Sequence, residues 1–287
     1  MIAPVVDLAW WRAHAAEVVV ADVRWYLDGR SGRQAYDGGH LPGAVFVDLD
    51  RWLASAGSPA EGRHPLPDPA VFAEGMAVLG IGDGDTVLAY DDAGGVIAAR
   101  LVWLLRATGH DAALLDGGLA AYTDSSSGPS PLEQAATSRP RAVFTSRAWP
   151  AEHLADIDAA TDPANTVLDA RDTDRYRGEY EPVDPRAGHI PGAQSLPCRE
   201  NLNADGTFLP VGQLRERLRA VGVTGGDTVV SYCGSGVTAC HNLLAVEFAG
   251  FGQGRLYPGS WSQYSHAGER PVATDQLNSG GSQSPVL

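Results

Sequence analysis

Tyr232-Cys233-Gly234-Ser235-Gly236-Val237-Thr238-Ala239 directly follows the apolar run Thr228-Val229-Val230-Ser231. A cysteine at the end of a buried strand, followed by small residues and then a helical pattern, predicts a tight loop whose backbone N–H groups converge on the sulfur. Gly234 and Gly236 permit that turn, and the N-terminus of the following helix adds the positive end of its dipole. The loop suits an anion, either a thiolate or the persulfide of a sulfur-loaded cysteine. Gly234, Gly236, Val237 and Thr238 are the loop positions expected to meet a substrate. A Cys-x5-Arg loop would clamp phosphate, but the sixth residue after Cys233 is Ala239, which argues against phosphatase chemistry. Cys198 and Cys240 read as small buried hydrophobes, Cys240 on a helix with Ala239, Leu243 and Leu244.

The surrounding chain narrows the class. A net charge of −14 argues against a nucleic-acid partner and against an anionic membrane surface. Every basic residue other than histidine is arginine, so Schiff-base catalysis and a P-loop lysine are excluded. Cys198, Cys233 and Cys240 are too few and too irregularly spaced for a disulfide framework or a four-ligand zinc site, and no metal or other cofactor is expected. The start Met1-Ile2-Ala3-Pro4-Val5-Val6-Asp7 lacks the features of a signal peptide, and no apolar run reaches membrane-spanning length. A soluble cytoplasmic protein is expected.

Two segments repeat, which implies a tandem of one fold. Gly39-His40-Leu41-Pro42-Gly43-Ala44 returns as Gly188-His189-Ile190-Pro191-Gly192-Ala193. Asp85-Thr86-Val87-Leu88-Ala89-Tyr90-Asp91 returns as Asp227-Thr228-Val229-Val230-Ser231-Tyr232-Cys233, and the same offset carries Gly94 onto Gly236, Gly117 onto Gly259 and Tyr122 onto Tyr264. Short apolar runs (Val18 to Asp22, Val87 to Tyr90) alternate with helical spacing (Phe72 to Leu79, Ile97 to Leu105). That alternation predicts an α/β fold with a mainly parallel sheet and helices on both faces of each copy. Ligands bind such sheets at the carboxyl ends of strands, where Cys233 stands in the second copy and Asp91 in the first. The expected boundaries are a first domain over 1–130, a linker over 131–145 that opens in the Ser/Pro-rich stretch after Thr123, a second domain over 146–270 and a polar tail over 271–287.

The chain resembles the tandem form of the rhodanese (sulfurtransferase) superfamily. Tyr36-x3-His40-Leu41-Pro42-Gly43-Ala44 is similar to its N-terminal signature and Gly259-Ser260-Trp261 to its C-terminal one. The resemblance implies two rhodanese folds, an inactive first copy and a catalytic second copy, and Asp91 in place of cysteine agrees with that division. The loop Cys233-Gly234-Ser235-Gly236-Val237-Thr238-Ala239 looks like that of 3-mercaptopyruvate sulfurtransferases. Thiosulfate sulfurtransferases carry arginine and lysine after the cysteine, and this loop has neither.

By the same resemblance, Arg175 of Arg175-Tyr176-Arg177-Gly178 binds the substrate carboxylate, and Arg186 is the candidate for a second family arginine. The competing reading pairs these arginines with Asp172, Asp174, Glu179 and Glu181 at the surface. The family's catalytic set falls on Cys233, Ser235, Asp50 and His64, which implies a hydroxyl–carboxylate relay across the domain interface. His40 and His189 occur in both copies, including the one without cysteine, and so are expected to hold loops. The implied reaction takes sulfur from a small-molecule donor to a thiol acceptor such as thioredoxin, or to cyanide. A thiosulfate:cyanide sulfurtransferase and a non-catalytic sulfur-carrier or regulatory module remain as alternatives.

Overall fold

A computed structural model describes residues 1–124 and 131–275. The first copy runs β1 (Val5–Val6), α1 (Leu8–His14), β2 (Val18–Asp22), α2 (Gly32–Gly38), β3 (Val45–Phe46), α3 (Pro69–Val78), β4 (Thr86–Tyr90), α4 (Ala99–Ala107), β5 (Ala112–Leu115) and α5 (Gly118–Thr123). Its strands pair in the order β1-β5-β4-β2-β3, every pair parallel. The second copy runs β6 (Thr166–Asp169), α6 (Thr173–Arg177), β7 (Gln194–Ser195), α7 (Val211–Ala220), β8 (Val229–Tyr232), α8 (Ala239–Phe248), β9 (Arg255–Leu256) and α9 (Ser260–His266). Its order is β7-β6-β8-β9, again all parallel, and Leu154 bridges Leu256 where β1 lies against β5 in the first copy.

The valine-rich strands are buried on both faces, as parallel strands between helices must be. Val19, Ala21, Val87 and Ala89 face one core with Phe72 and Met76 of α3, whereas Val20, Leu88 and Tyr90 face the other with Trp11, Tyr36 and Tyr122. The first of these cores does not stop at the domain boundary. Leu101, Leu104 and Leu105 of α4 belong to the same apolar cluster as Leu243, Leu244 and Val246 of α8. Every residue of α4 is buried, which a helix tolerates only when it is enclosed by packed elements on all sides. The two copies therefore meet helix to helix, with the carboxyl ends of β4 and β8 turned toward a shared cleft. An ion pair between Arg106 and Glu247 fastens the same interface.

Residues 125–130, the Ser/Pro-rich end of the expected first domain, lie outside the described residues, whereas the expected linker over 131–145 is described. From Pro131 onward the chain is laid along the first copy: His40 and Glu133 exchange two backbone hydrogen bonds of 2.9 Å, Ala142 N–H donates to Ala77, and Phe144 stacks on His110 at 4.4 Å. Most of the expected polar tail, residues 276–287, also lies outside the description. The part that is described pairs Ala273 antiparallel with His189.

The repeated histidines hold loops. His40 Nδ1 lies 2.8 Å from the Tyr36 carbonyl and the ring stacks on Tyr36, and His189 Nδ1 lies 2.7 Å from the Tyr176 carbonyl with its ring on Tyr176.

At the end of β4, Asp91 is fully buried and each of its carboxylate oxygens accepts two backbone N–H bonds. Oδ1 takes Ala93 and Gly95 at 2.8 and 2.7 Å, and Oδ2 takes Ile97 and Ala98 at 2.8 and 2.9 Å. Burial pushes this carboxyl upward and the four N–H bonds oppose the rise. Truncating it strands four backbone donors at once, two of them buried and two half-buried. Asp91→Ala should therefore lower unfolding free energy by about 3 kcal/mol or more in urea titration, and a loss below about 1 kcal/mol would contradict this account.

Candidate active site

Cys233 follows β8 directly and is 2% exposed at the floor of the cleft, with the Gly236 N–H donating to its sulfur at 3.1 Å. Gly236 sits at φ +79°, and a Cβ there would stand 2.7 Å from the Pro258 carbonyl oxygen, so the turn requires glycine. The loop is buttressed by the segment Gly259-Ser260-Trp261. Cys233 N–H donates to Ser260 Oγ at 3.2 Å, while the N–H groups of Trp261 and Ser262 donate to the carbonyls of Cys233 and Gly234, both at 2.9 Å. Ser260 adopts φ 53°, a left-handed conformation that costs a β-carbon residue on the order of 1 kcal/mol. It is held there because its hydroxyl also donates to the Tyr257 carbonyl at 2.9 Å. These hydrogen bonds offset the strain at Ser260 and secure the loop.

The opposite wall comes from the first copy. His64 Nδ1 lies 2.8 Å from Ser235 Oγ, a contact that joins the two copies at the loop itself. His64 Nε2 is 3.6 Å from Asp50 Oδ1, too long for a hydrogen bond, and the other Asp50 oxygen accepts the Trp25 indole N–H at 2.9 Å. Asp50 rides on a π-helical turn (Leu49–Leu53) and is exposed, so it acts on His64 by charge across a short gap. Burial pushes the His64 pKa down to about 4, with Asp50 opposing and Arg63 and Arg100 assisting. The ring is neutral at pH 7. Assigning its proton to Nε2, toward Asp50, leaves Nδ1 to accept from the Ser235 hydroxyl.

Arg100 of α4, fully buried, locks this junction with four carbonyls: Gly236 at 2.9 Å, Leu53 and His64 at 3.2 Å, and Pro65 at 3.4 Å. One guanidinium thereby ties the cysteine loop to the segments that carry Asp50 and His64.

The cleft has a volume of about 490 Å³ and is lined by Trp25, Tyr26, Arg63 and His64 of the first copy and by Arg175, Cys198, Cys233, Gly234, Ser235, Val237 and Thr238 of the second. Arg175, in the middle of the short α6, leans over the loop, and a Cβ at Gly234 would stand 3.4 Å from its Nη1. Rather than pairing with surface acids alone, Arg175 donates to the buried Glu181 at 2.7, 2.9 and 3.3 Å and to Asp184 at 3.4 Å.

Arg186 is not brought to the cleft, which corrects the expectation from the sequence. Its guanidinium donates to the carbonyls of Tyr264, Ser265, Ala267 and Arg270 at 2.7–2.8 Å, capping the C-terminal end of α9 and the turn that follows it. The second arginine at the loop is Arg63, which sequence reasoning passed over although it precedes His64 in the chain. Its Nη2 would stand 3.0 Å from a Cβ at Gly234, and its Nε is buried without a hydrogen-bond partner.

Cys198, expected in the core, is buried but reaches the cleft, and burial pushes its thiol up to about 12; Cys240 is raised to about 12 likewise and donates to the Gly236 carbonyl at 3.4 Å.

The sequence model of the rhodanese-like domain matches twice, over residues 7–125 and 150–267. The chain belongs to the rhodanese family. It is 44% identical over 275 residues to a Pseudomonas aeruginosa protein named a probable 3-mercaptopyruvate sulfurtransferase, covering 92% of this chain and 94% of that one. A Mycobacterium tuberculosis protein named provisionally as a thiosulfate sulfurtransferase is 40% identical over 259 residues, with 89% and 90% covered. Among solved structures, the 3-mercaptopyruvate sulfurtransferase from Leishmania major superposes with a TM-score of 0.80 at 31% identity, over 91% of this chain and 74% of that one.

The buried His64 carries a pH signature of its own. Between about pH 6.5 and about 4 the unfolded chain binds a proton that the folded ring does not, so stability falls as pH falls across that window. From pH 7.5 to pH 5 the loss attributable to His64 should be about 2 kcal/mol. Denaturant titrations at the two pH values should show His64→Gln losing that much less than the wild type. An identical loss in both proteins would contradict a neutral, buried His64.

Proposed function

We propose that the protein is a sulfurtransferase that takes sulfur from 3-mercaptopyruvate and passes it to a thiol through a persulfide on Cys233. The observation that carries this reading is the pairing of an uncharged cysteine loop with two arginines on the cleft wall beside it, Arg63 and Arg175. The loop supplies the Gly236 N–H to the sulfur, while the two guanidinium edges turned to the loop, Arg63 Nη2 and Arg175 Nη1, suit the two oxygens of a single carboxylate.

In the first half-reaction the Cys233 thiolate attacks the donor sulfur. The new S–S bond forms as the C–S bond breaks, and its electron pair leaves as the enolate of pyruvate. The donor's thiol proton ends on the methyl carbon of pyruvate, leaving a persulfide anion on Cys233. Ser235, hydrogen-bonded to neutral His64, is the hydroxyl placed to handle that proton, with Asp50 stabilising positive charge on the ring. In the second half-reaction an acceptor thiolate takes the outer sulfur and restores the Cys233 thiolate. Thioredoxin-like dithiols and cyanide are the acceptor chemistries we favour.

The first copy offers support for a loaded cradle. Its corresponding loop already holds an anion, the Asp91 carboxylate, on four N–H groups. A module that only carried or recognised sulfur would have no use for the arginine pair or the Ser235–His64 contact. Three free, buried cysteines favour a reducing, cytoplasmic setting.

Steady-state kinetics with the two donors test the assignment. The kcat/KM for 3-mercaptopyruvate should exceed that for thiosulfate, and Arg175→Met should raise the 3-mercaptopyruvate KM by about tenfold or more, the loss of one charged hydrogen-bonding pair. A clear wild-type preference for thiosulfate would overturn the donor assignment.

A further inference from the structure

Asp184 lies behind the two guanidiniums that face the cysteine loop. Its Oδ1 accepts from Arg63 Nη1 at 2.9 Å, and its Oδ2 accepts from Arg175 Nη2 at 3.4 Å. Its side chain is 2% exposed, so the carboxylate is spent on these two arginines and not on water. The Arg63 contact also crosses between the copies.

Asp184 completes a charge balance. Glu181 takes Arg175 and also Arg171 at 3.3 Å, and Arg171 pairs with Asp169 at 2.6 Å. Three guanidiniums thus meet three carboxylates, and their charges cancel. Glu181 has a further structural duty, accepting the N–H groups of Val183 and Asp184, both at 3.1 Å. Asp184 is the member of the set whose carboxylate, among the described residues, accepts hydrogen bonds from the two arginines that flank Gly234 and from no other group. The guanidinium edges left beside the loop are Arg63 Nη2 and Arg175 Nη1, the atoms nearest a Cβ at Gly234.

We propose that Asp184 is a specificity-determining residue, a charge filter that leaves one Nη edge of each arginine, Arg63 Nη2 and Arg175 Nη1, to a monoanionic carboxylate donor while cancelling the potential that would draw in a dianion. The inference rests on the donor reading above. A carboxylate is recognised by shape and two N–H edges, which Asp184 leaves in place. A donor with a second negative charge gains little from a network of zero net charge, and that charge faces Asp184 from the far side of a guanidinium. In a half-open site such repulsion is worth on the order of tenfold to a hundredfold in affinity.

The test measures kcat and KM for 3-mercaptopyruvate and for thiosulfate in the wild type, Asp184→Asn and Asp184→Glu. Asp184→Asn should lower the ratio of kcat/KM for 3-mercaptopyruvate over thiosulfate by about tenfold, chiefly through the thiosulfate KM, with the change shrinking as salt rises. Asp184→Glu, which keeps the charge, should keep the ratio. A ratio unchanged in Asp184→Asn, or an equal loss on both donors, would show that Asp184 serves the fold alone and overturn the filter.

The wild type supplies a second reading should the asparagine variant not fold. A neutral network predicts that its 3-mercaptopyruvate KM rises less than about threefold from about 0.05 to about 0.5 M salt, whereas a steep rise would contradict the balance. A wild type that prefers thiosulfate strikes the donor assignment itself. A wild type that prefers 3-mercaptopyruvate with an unmoved ratio in Asp184→Asn strikes only the filter.

Discussion

An anion at the buried end of a parallel strand must be met by N–H groups, because an uncompensated charge there costs more than the whole fold can offset. The βα turns after β4 and β8 both answer that requirement with backbone donors. In the first copy the anion is built in, and Asp91 saturates the turn with four hydrogen bonds. In the second, the side chain is a sulfur that accepts the Gly236 N–H and leaves room above it in the cleft. One geometry thus yields a permanently satisfied turn and a chemically available one.

That difference explains the division of labour. The first copy has no vacancy in its own loop, so its contribution is made across the interface: Arg63 and His64 face the second copy's loop, Asp50 stands behind His64, and Arg100 clamps the Gly236 carbonyl. The continuous apolar cluster between α4 and α8 holds the two halves in register, so that a contact such as His64 to Ser235 is maintained at hydrogen-bond distance. Around the arginines, local charge is balanced by buried carboxylates. Selectivity among anions then rests on fork geometry and residual potential.

Much of this was legible in the residues. The repeat offset placed Asp91 opposite Cys233, and the valine runs bounded by Asp and Gly announced parallel strands covered on both sides. Ser235, His64 and Arg175 could be singled out from motifs, and the structure brings them to the cleft with Cys233. Arg186 could not be placed, because whether an arginine two residues past Asp184 points at a ligand or at a helix end depends on where α9 terminates, which is a tertiary fact. Arg63 and Arg100 escaped for a related reason. Each acts on the other copy, and local pattern carries no record of contacts made between residues 36 or 136 positions apart, such as those of Arg100 with His64 and Gly236. The strain at Ser260 was equally silent in the sequence, since nothing in Gly259-Ser260-Trp261 announces a left-handed serine.

The central claim is that sulfur passes through Cys233 in two separable steps. A single-turnover reaction without acceptor, read by intact-protein and peptide mass spectrometry alongside pyruvate release, tests it most directly. The account predicts one pyruvate per enzyme, a gain of one sulfur atom confined to the Cys233 peptide, and loss of both signals in Cys233→Ser. Pyruvate release from Cys233→Ser at the wild-type rate, or sulfur recovered on Cys198 or Cys240 instead, would contradict it.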